Sequence, residues 1–335
     1  TRFNENLGAL EFYTGVEWRA VNSYVDNGNM GRAIWAGGYD TGGVPTSTTS
    51  SIDYIHIPTL GNSTKFGELS AAGQDAHGCG SRTRGLYGGK FNNAQIDYIT
   101  IASSGNGIDF GDISVARNYP AAASSSTRGL WMGGRVSGTT YNTIEYVEIQ
   151  TLGNAVDFGD LTQLRMTYGS AISDGRYVIV AGGDVPASLR TSYDRKSITN
   201  SANAIEFGDL IGDQYYAPAG AGNQTRGIMA GGYNDHPGQI KEIQYITMAS
   251  GGNAQYFGDL SDKSLASGGG ETSIRAVFAL GLTAGPSADV NTLEYVTIAS
   301  SGNSMDFGDL RGGNNRNHSR VISPVSDSHG GLGGF

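Results

Sequence analysis

The chain has 335 residues, a formal net charge of -9 and a sequence pI near 5.0. Nucleic-acid-binding proteins need a basic surface that displaces counterions, so this acidic balance predicts no nucleic-acid partner. The single cysteine, Cys79, excludes an intrachain disulfide framework and a multi-thiolate metal site, and we expect it to be a small buried thiol. No stretch reaches the roughly 18 apolar residues of a membrane helix, and no signal peptide is visible, so we expect no membrane insertion.

The first predicted element is a short hairpin over residues 9–20. Its two strands are LEFY at residues 10–13 and VEW at residues 16–18.

Six copies of one phrase follow the hairpin, at intervals of 44 to 50 residues. The phrase reads FGEL, FGDI or FGDL and begins at Phe66, Phe110, Phe158, Phe207, Phe257 and Phe307. Each copy has an Asn four residues upstream, and five copies have a Tyr twelve residues upstream. A period of 40 to 50 residues with several short β-like runs per unit is typical of a β-propeller, so we predict an all-β fold.

The unit that begins near residue 116 shows four predicted strands, which we name a to d in chain order. Strand a contains AAASSS, and strand b runs from Arg128 to the pair Gly133-Gly134. Strand c is TIEYVEIQ, which alternates apolar and polar residues as a half-buried strand does. A turn at Gly153-Asn154 leads into strand d, which carries the FGDL phrase.

These units resemble the kelch repeat, in which strand b ends in Gly-Gly and strands c and d each carry an aromatic residue. The resemblance covers nearly the whole chain. It implies a closed β-propeller of four-stranded blades. The aromatic residue of strand d is Phe in this chain, where kelch repeats usually have Trp, so the array is a divergent one.

The number of blades depends on how the two ends of the sequence are interpreted. Division of 335 residues by the repeat length favours seven blades. In this interpretation the closing blade combines the hairpin over residues 9–20 with residues 318–335, two strands from each end. The alternative is a ring of six blades with a separate N-terminal hairpin.

The connections between strands predict one variable face and one constant face. In an up-and-down blade the b–c and d–a connections emerge on one face, and these connections differ in length and side chains between units. We call this the variable face, and we predict that binding residues lie there, because loops on a rigid scaffold commonly carry function. The candidate binding residues are Arg117, Tyr119, Arg165, Tyr168, Tyr215, Tyr216, Arg316 and His318.

The repeated residues predict structure rather than catalysis. A residue present in every blade lies on a ring of equivalent positions, whereas a catalytic site needs different groups that converge. We expect the repeated Phe and Tyr to fill the space between blades. We expect the Asp of FGD to accept turn N–H groups or to pair with the repeated Arg of strand b. The five histidines lack metal-ligand spacing, and no known catalytic motif occurs, so we predict no enzyme activity, metal or cofactor.

The opening segment RFNENLGALEFYTGVEWRAV resembles a short segment common in tail-fibre and other virion proteins of tailed bacteriophages. The resemblance implies a non-enzymatic virion protein of the capsid, neck or a tail appendage. Its partners would be other virion proteins and a host-surface glycan or protein. The alternatives are a secreted or cell-surface bacterial glycan-binding lectin and, third, a propeller hydrolase or oxidase.

Overall fold

The structure is a computed structural model in which most of the chain is described. The described residues are 2–4, 9–13, 18–20, 31–40, 47–168, 171–184, 191–212, 219–233, 238–265, 268–283, 289–311 and 323–328. They form β-strands, turns and connections, and no helix occurs within these ranges.

Six antiparallel sheets of strands a to d form a β-propeller, and the six repeated phrases lie on the six d strands. Sheet 1 contains, in the order a to d, Val325–Ser326, Arg32–Ala36, Ser51–His56 and Thr64–Glu68. Sheet 2 contains His77–Gly80, Arg84–Gly88, Gln95–Thr100 and Ile108–Asp112. Sheet 3 contains Ala121–Ser124, Arg128–Met132, Thr143–Glu148 and Val156–Asp160. Sheet 4 contains Ala171–Ser173, Tyr177–Ala181, Ser192–Ser197 and Ile205–Asp209. Sheet 5 contains Ala219–Gly222, Arg226–Ala230, Glu242–Thr247 and Gln255–Asp259. Sheet 6 contains Gly269–Glu271, Arg275–Thr283, Asp289–Thr297 and Met305–Asp309. In sheet 6 a short extra strand, Ser264–Leu265, also pairs with strand b.

The a strands line the centre, where each one contacts the a strands of the two neighbouring sheets. These strands consist mostly of Gly, Ala and Ser, and their described residues are buried. A Cβ atom on Gly78 would lie 2.7 Å from Val325 Cγ2, and one on Gly220 would lie 2.7 Å from the carbonyl oxygen of Ala171. Small residues are therefore required, because the inner strands pack directly against one another.

Six hydrophobic clusters hold neighbouring sheets together, including one between sheets 6 and 1. In the cluster between sheets 3 and 4, Phe158 and Leu161 of sheet 3 pack with Val178 and Ile198 of sheet 4. The prediction that the repeated Phe fills the space between blades is confirmed. The buried position of Cys79, in the cluster between sheets 2 and 3, is confirmed as well.

The prediction of seven blades is wrong, since the described residues form six four-stranded sheets, as the alternative interpretation expected. Strand a of sheet 1 comes from the C-terminal part of the chain, where Val325 pairs with Ile34 and Ser326 with Ala33. This region therefore contributes one strand, which completes the sheet formed by three strands of residues 32–68. The prediction was that it contributes two strands and forms a blade together with the N-terminal hairpin. Residues 318–322 and 329–335 lie outside the described part.

The N-terminal segment forms a sheet of its own. Arg2–Asn4 pairs with Ala9–Tyr13, which pairs in turn with Trp18–Ala20. The segment predicted as a hairpin therefore contributes two strands of a three-stranded antiparallel sheet, and the ladder does not include a strand of residues 323–328.

Candidate functional site

At five of the six interfaces the repeated Asn of the c–d turn connects a sheet to the preceding one. In sheet 3, Asn154 Oδ1 accepts a hydrogen bond of 3.0 Å from the backbone N–H of Asp112 in sheet 2. The equivalent bonds join Glu68 to Asn106, Asp160 to Asn203, Asp259 to Asn303 and Asp309 to Asn62. The FGD glycine permits this approach, because a Cβ atom on Gly111 would lie 2.5 Å from the carbonyl oxygen of Gly153.

The repeated Arg of strand b makes a second contact between sheets. The guanidinium of Arg84 lies 4.5 Å from the ring centroid of Tyr98, a cation–π distance, and its Nη1 donates to the carbonyl oxygen of Ile149 in sheet 3. Arg275 of sheet 6 donates in the same way to Ile57 of sheet 1. The prediction that the FGD Asp pairs with this Arg is wrong where partners are described: Asp209 accepts from Thr191, and Asp259 pairs with Lys241.

A third set of contacts, which the sequence interpretation missed, uses the residue directly before the Tyr position of strand c. We call this the interface acid position. Its members are Asp53, Asp97, Glu145, Asp194, Gln244 and Glu294, and all six are buried. Each accepts a hydrogen bond from the residue four positions after the repeated Phe of the preceding sheet. Asp194, for example, accepts from the N–H and the hydroxyl of Thr162 at 2.8 and 2.7 Å. A comparison of the six repeats position by position would have revealed this acid.

Two predicted binding residues, Arg117 and Arg165, are the cations that neutralise interface acids. Arg117 Nη2 lies 2.5 Å from Glu145, and Arg165 Nη2 lies 3.3 Å from Asp194. Both side chains are at most 1% exposed, so these two candidate binding residues are buried groups and not surface groups of the variable face. Burial lowers the pKa of each guanidinium, and the charge of the partner carboxylate opposes that shift. These pairs fix the d–a connections to the underlying sheets.

In sheet 2 the cation that neutralises the interface acid comes from the end of strand b and not from the d–a connection. Lys90 Nζ, which comes from the end of strand b, lies 2.7 Å from Asp97. Gly73 occupies the position of Arg117, and a Cβ atom there would lie 3.1 Å from Lys90 Cβ. In sheet 3, Gly134 occupies the position of Lys90, where a Cβ atom would lie 3.3 Å from Arg117 Cβ. In these two sheets one cation therefore fits each site, and the opposite position is glycine.

Tyr119 and Tyr168, two further predicted residues, are brought together on the variable face. Their ring centroids are 4.5 Å apart with an angle of 32° between the planes, and both side chains are partly exposed. Both residues adopt a positive φ, 61° and 50°, which is a strained conformation for a bulky residue. The carbonyl oxygen of Tyr119 accepts hydrogen bonds from the N–H groups of Thr167 and Tyr168. Neighbouring d–a connections therefore hold a fixed pair of aromatic rings.

The start of strand a in sheet 2 buries two titratable groups. Asp75 has φ 62° and is 2% exposed, and burial raises its carboxyl pKa well above the usual value. His77 is fully buried, burial lowers its pKa to about 3, and its Nδ1 contacts Ser323 Oγ at 3.1 Å. The imidazole is therefore neutral at physiological pH and lacks the pKa near 7 that suits a general base.

The described residues contain no group of three His, Cys, Asp or Glu side chains placed to hold a metal ion. Burial also raises the pKa of the Cys79 thiol, so the thiolate that nucleophilic chemistry needs is disfavoured. The remaining predicted residues, Tyr215, Tyr216, Arg316 and His318, lie outside the described part of the chain.

Comparisons with known proteins add no assignment to this geometry. Within the described ranges, no helix is long and apolar enough to cross a membrane. No protein-family model matches the chain, and no curated protein sequence is significantly similar to it.

Proposed function

We propose that this protein is a non-enzymatic component of a tailed-phage virion that binds a host-surface ligand through its variable face. The observation that carries the proposal is the Tyr119–Tyr168 pair, held at positive φ by neighbouring d–a connections. Strained residues persist only where the surrounding structure over-determines them, and such residues cluster at binding sites. The virion assignment is supported by the resemblance of residues 2–21 to phage structural proteins.

The two faces of the propeller differ in a way that favours binding on the variable face. On the constant face, the c–d turns are occupied by the Asn and Gly contacts between sheets. On the variable face, two aromatic rings are partly exposed to solvent. Tyrosine provides a large rigid contact area with few rotatable bonds, so it is well suited to a preorganised binding surface.

The experiment measures attachment of the purified protein to host cells after replacement of the aromatic pair. Tyr119→Gly and Tyr168→Gly remove the rings but accept positive φ, so the connections keep their conformation. We expect each variant to bind at least tenfold more weakly, with a melting temperature close to that of the wild type. The control is Leu152→Ala, which truncates an exposed side chain on the constant face.

Two results would contradict the proposal. Normal attachment of both glycine variants, with loss in Leu152→Ala, would place binding on the constant face. Absence of the protein from purified phage particles by mass spectrometry would remove the virion assignment and favour the lectin alternative.

A further inference from the structure

One interface departs from the other five at several positions that meet in space. Between sheets 4 and 5, the residue four positions after the repeated Phe is Ile211, whereas the other repeats carry a polar or charged residue there. Those residues are Ser70, Ser114, Thr162, Ser261 and Arg311. The interface acid position of sheet 5 is the neutral Gln244. Differences between repeats are the positions where a repeat protein can acquire a specific function.

These two substitutions fit each other and change the surface. The N–H of Ile211 donates to Gln244 Oε1 at 2.8 Å, and Gln244 Nε2 donates to the Ile211 carbonyl oxygen at 3.1 Å. The amide therefore satisfies the backbone by itself, and no hydroxyl side chain is needed. The Ile211 side chain is free of that role and is 49% exposed.

A cavity of about 220 Å³ opens at this interface. It lies on the variable-face side, where strand d of sheet 4 ends and strand c of sheet 5 begins. The lining residues are Ile211, Gly212, Ile240, Glu242, Gln244 and Tyr256. This volume is below the roughly 300–1,000 Å³ of pockets for drug-sized ligands, so the cavity suits one ring-sized group.

Two of the lining residues are also unlike their equivalents in the other repeats. Tyr256 precedes the Phe of the phrase, a position that is charged in the other five repeats. The charged equivalents are Lys65, Asp109, Asp157, Glu206 and Asp306. Glu242 begins strand c, where the other repeats have an uncharged polar residue. Those residues are Ser51, Gln95, Thr143, Ser192 and Thr292. An aromatic ring and a carboxylate have thus been introduced at the same cavity.

The Tyr256 ring is exposed at the cavity. Its side chain is 55% exposed and forms part of the cavity lining. Asp259, three residues further along the same strand, pairs with Lys241 Nζ at 3.2 Å. The face of the ring remains available for stacking, and the carboxylate of Glu242 provides a hydrogen-bond acceptor for hydroxyl groups.

We infer that this cavity binds a single pyranose residue of a glycan, stacked on Tyr256 and hydrogen-bonded to Glu242. The aliphatic walls formed by Ile211 and Ile240 contact the apolar edge of the sugar ring. The inference deepens the proposed function by naming carbohydrate as the ligand class, and it rests on that function only for the biological role of the sugar. The cavity is a site separate from the Tyr119–Tyr168 pair.

The test is a titration of the full chain with methyl glycosides of common bacterial surface sugars, followed by NMR or calorimetry. Each variant introduces a residue type that other repeats carry at the same position, so the fold tolerates it. We expect Tyr256→Asp and Glu242→Thr to weaken sugar binding at least tenfold. The control Leu152→Ala, which lies outside the cavity on the constant face, should bind within twofold of the wild type.

Any other pattern overturns the inference. If no methyl glycoside binds, or if binding survives Tyr256→Asp, the cavity is not a sugar site. If tetramethylammonium binds in place of the glycosides, the ring and carboxylate recognise a cation. If Tyr119→Gly abolishes sugar binding and Tyr256→Asp does not, the ligand belongs to the aromatic pair, and the proposed function survives without this cavity.

Discussion

The interfaces on the two sides of sheet 4 place different chemistry at the same positions. Between sheets 3 and 4, Asp194 accepts two hydrogen bonds from Thr162 and pairs with the buried Arg165. Between sheets 4 and 5, Gln244 exchanges two hydrogen bonds with the backbone of Ile211. The comparison shows that a neutral amide can replace a buried ion pair without loss of the strand register, and that the replacement releases a side chain to the surface.

Side-chain truncation in the two interfaces should lower the free energy of unfolding by different amounts. A buried ion pair contributes little net stability compared with apolar residues, but the removal of one partner strands the other charge. Loss of a neutral hydrogen-bonding group leaves only uncharged backbone groups without partners, which costs less.

The largest expected effect follows from removal of the acid. Asp194→Ala should lower the free energy of unfolding by about 3–5 kcal/mol, because Arg165 is left buried without its carboxylate. Gln244→Ala should cost about 1–3 kcal/mol, the penalty for unsatisfied uncharged groups. Denaturant unfolding of both variants measures the difference. The double variant Arg165→Met with Asp194→Leu is the control and should recover most of the loss. Equal losses in the two single variants would show that the charge is not what distinguishes the interfaces.

A smaller difference in the free energy of unfolding is expected between alanine variants of two glycines with positive φ. Gly159 contacts sheet 4, and a Cβ atom there would lie 2.8 Å from the carbonyl oxygen of Ser201. Gly212 lines the cavity, and a Cβ atom there would meet nothing within 4 Å. Gly212→Ala should cost about 1–2 kcal/mol for the backbone conformation alone. Gly159→Ala should cost about 1–3 kcal/mol more, because the c–d turn of sheet 4 must move. Thermal unfolding tests this order, and a reversed order would mean that the cavity is more tightly packed than the interface.

The smallest effect concerns a lysine in the interface between sheets 3 and 4. Lys196 is buried with its Nζ 4.0 Å from the ring centroid of Phe158, and burial lowers its pKa from 10.5 to about 8. Between these two values the unfolded chain binds more protons than the folded protein, so stability should rise with pH over that range. Lys196→Met should lack this rise. Unfolding measured from pH 7 to 10.5 gives the difference between the two slopes, and parallel slopes would contradict the pKa shift.

Much of the fold could be predicted from the period of the sequence. The alternation in strand c, the Gly-Gly after strand b and the Phe of strand d lie where the pattern placed them. The number of sheets was mispredicted because hydrogen-bond pairing between the chain ends leaves no local signal. Residues 10–20 resemble strands c and d, but their backbone pairs with residues 2–4 and 9–13.

The candidate site was less accessible to sequence reasoning. The sequence indicated Arg117 and Arg165 as binding residues because Arg in a variable loop is typical of binding surfaces. In the structure each pairs with an acid of strand c that lies 28 or 29 residues later in the chain. The Tyr119–Tyr168 contact joins residues of different repeats, and no periodicity predicts it. The cavity near Tyr256 likewise requires the adjacency of two sheets, although the departures from the repeat at its lining residues were visible in the sequence.

The completion of sheet 1 by Val325–Ser326 has a consequence for biosynthesis. Asp327 Oδ1 accepts a hydrogen bond of 2.8 Å from the N–H of Gly31, a residue made 296 positions earlier. Strand Arg32–Ala36 keeps an unpaired edge until the ribosome has delivered residues 323–328. Unpaired edges recruit other chains, and contacts of such long sequence separation form slowly. The nascent chain is therefore exposed to misassembly throughout this interval, and a chaperone that covers this edge would act before residues 323–328 are delivered.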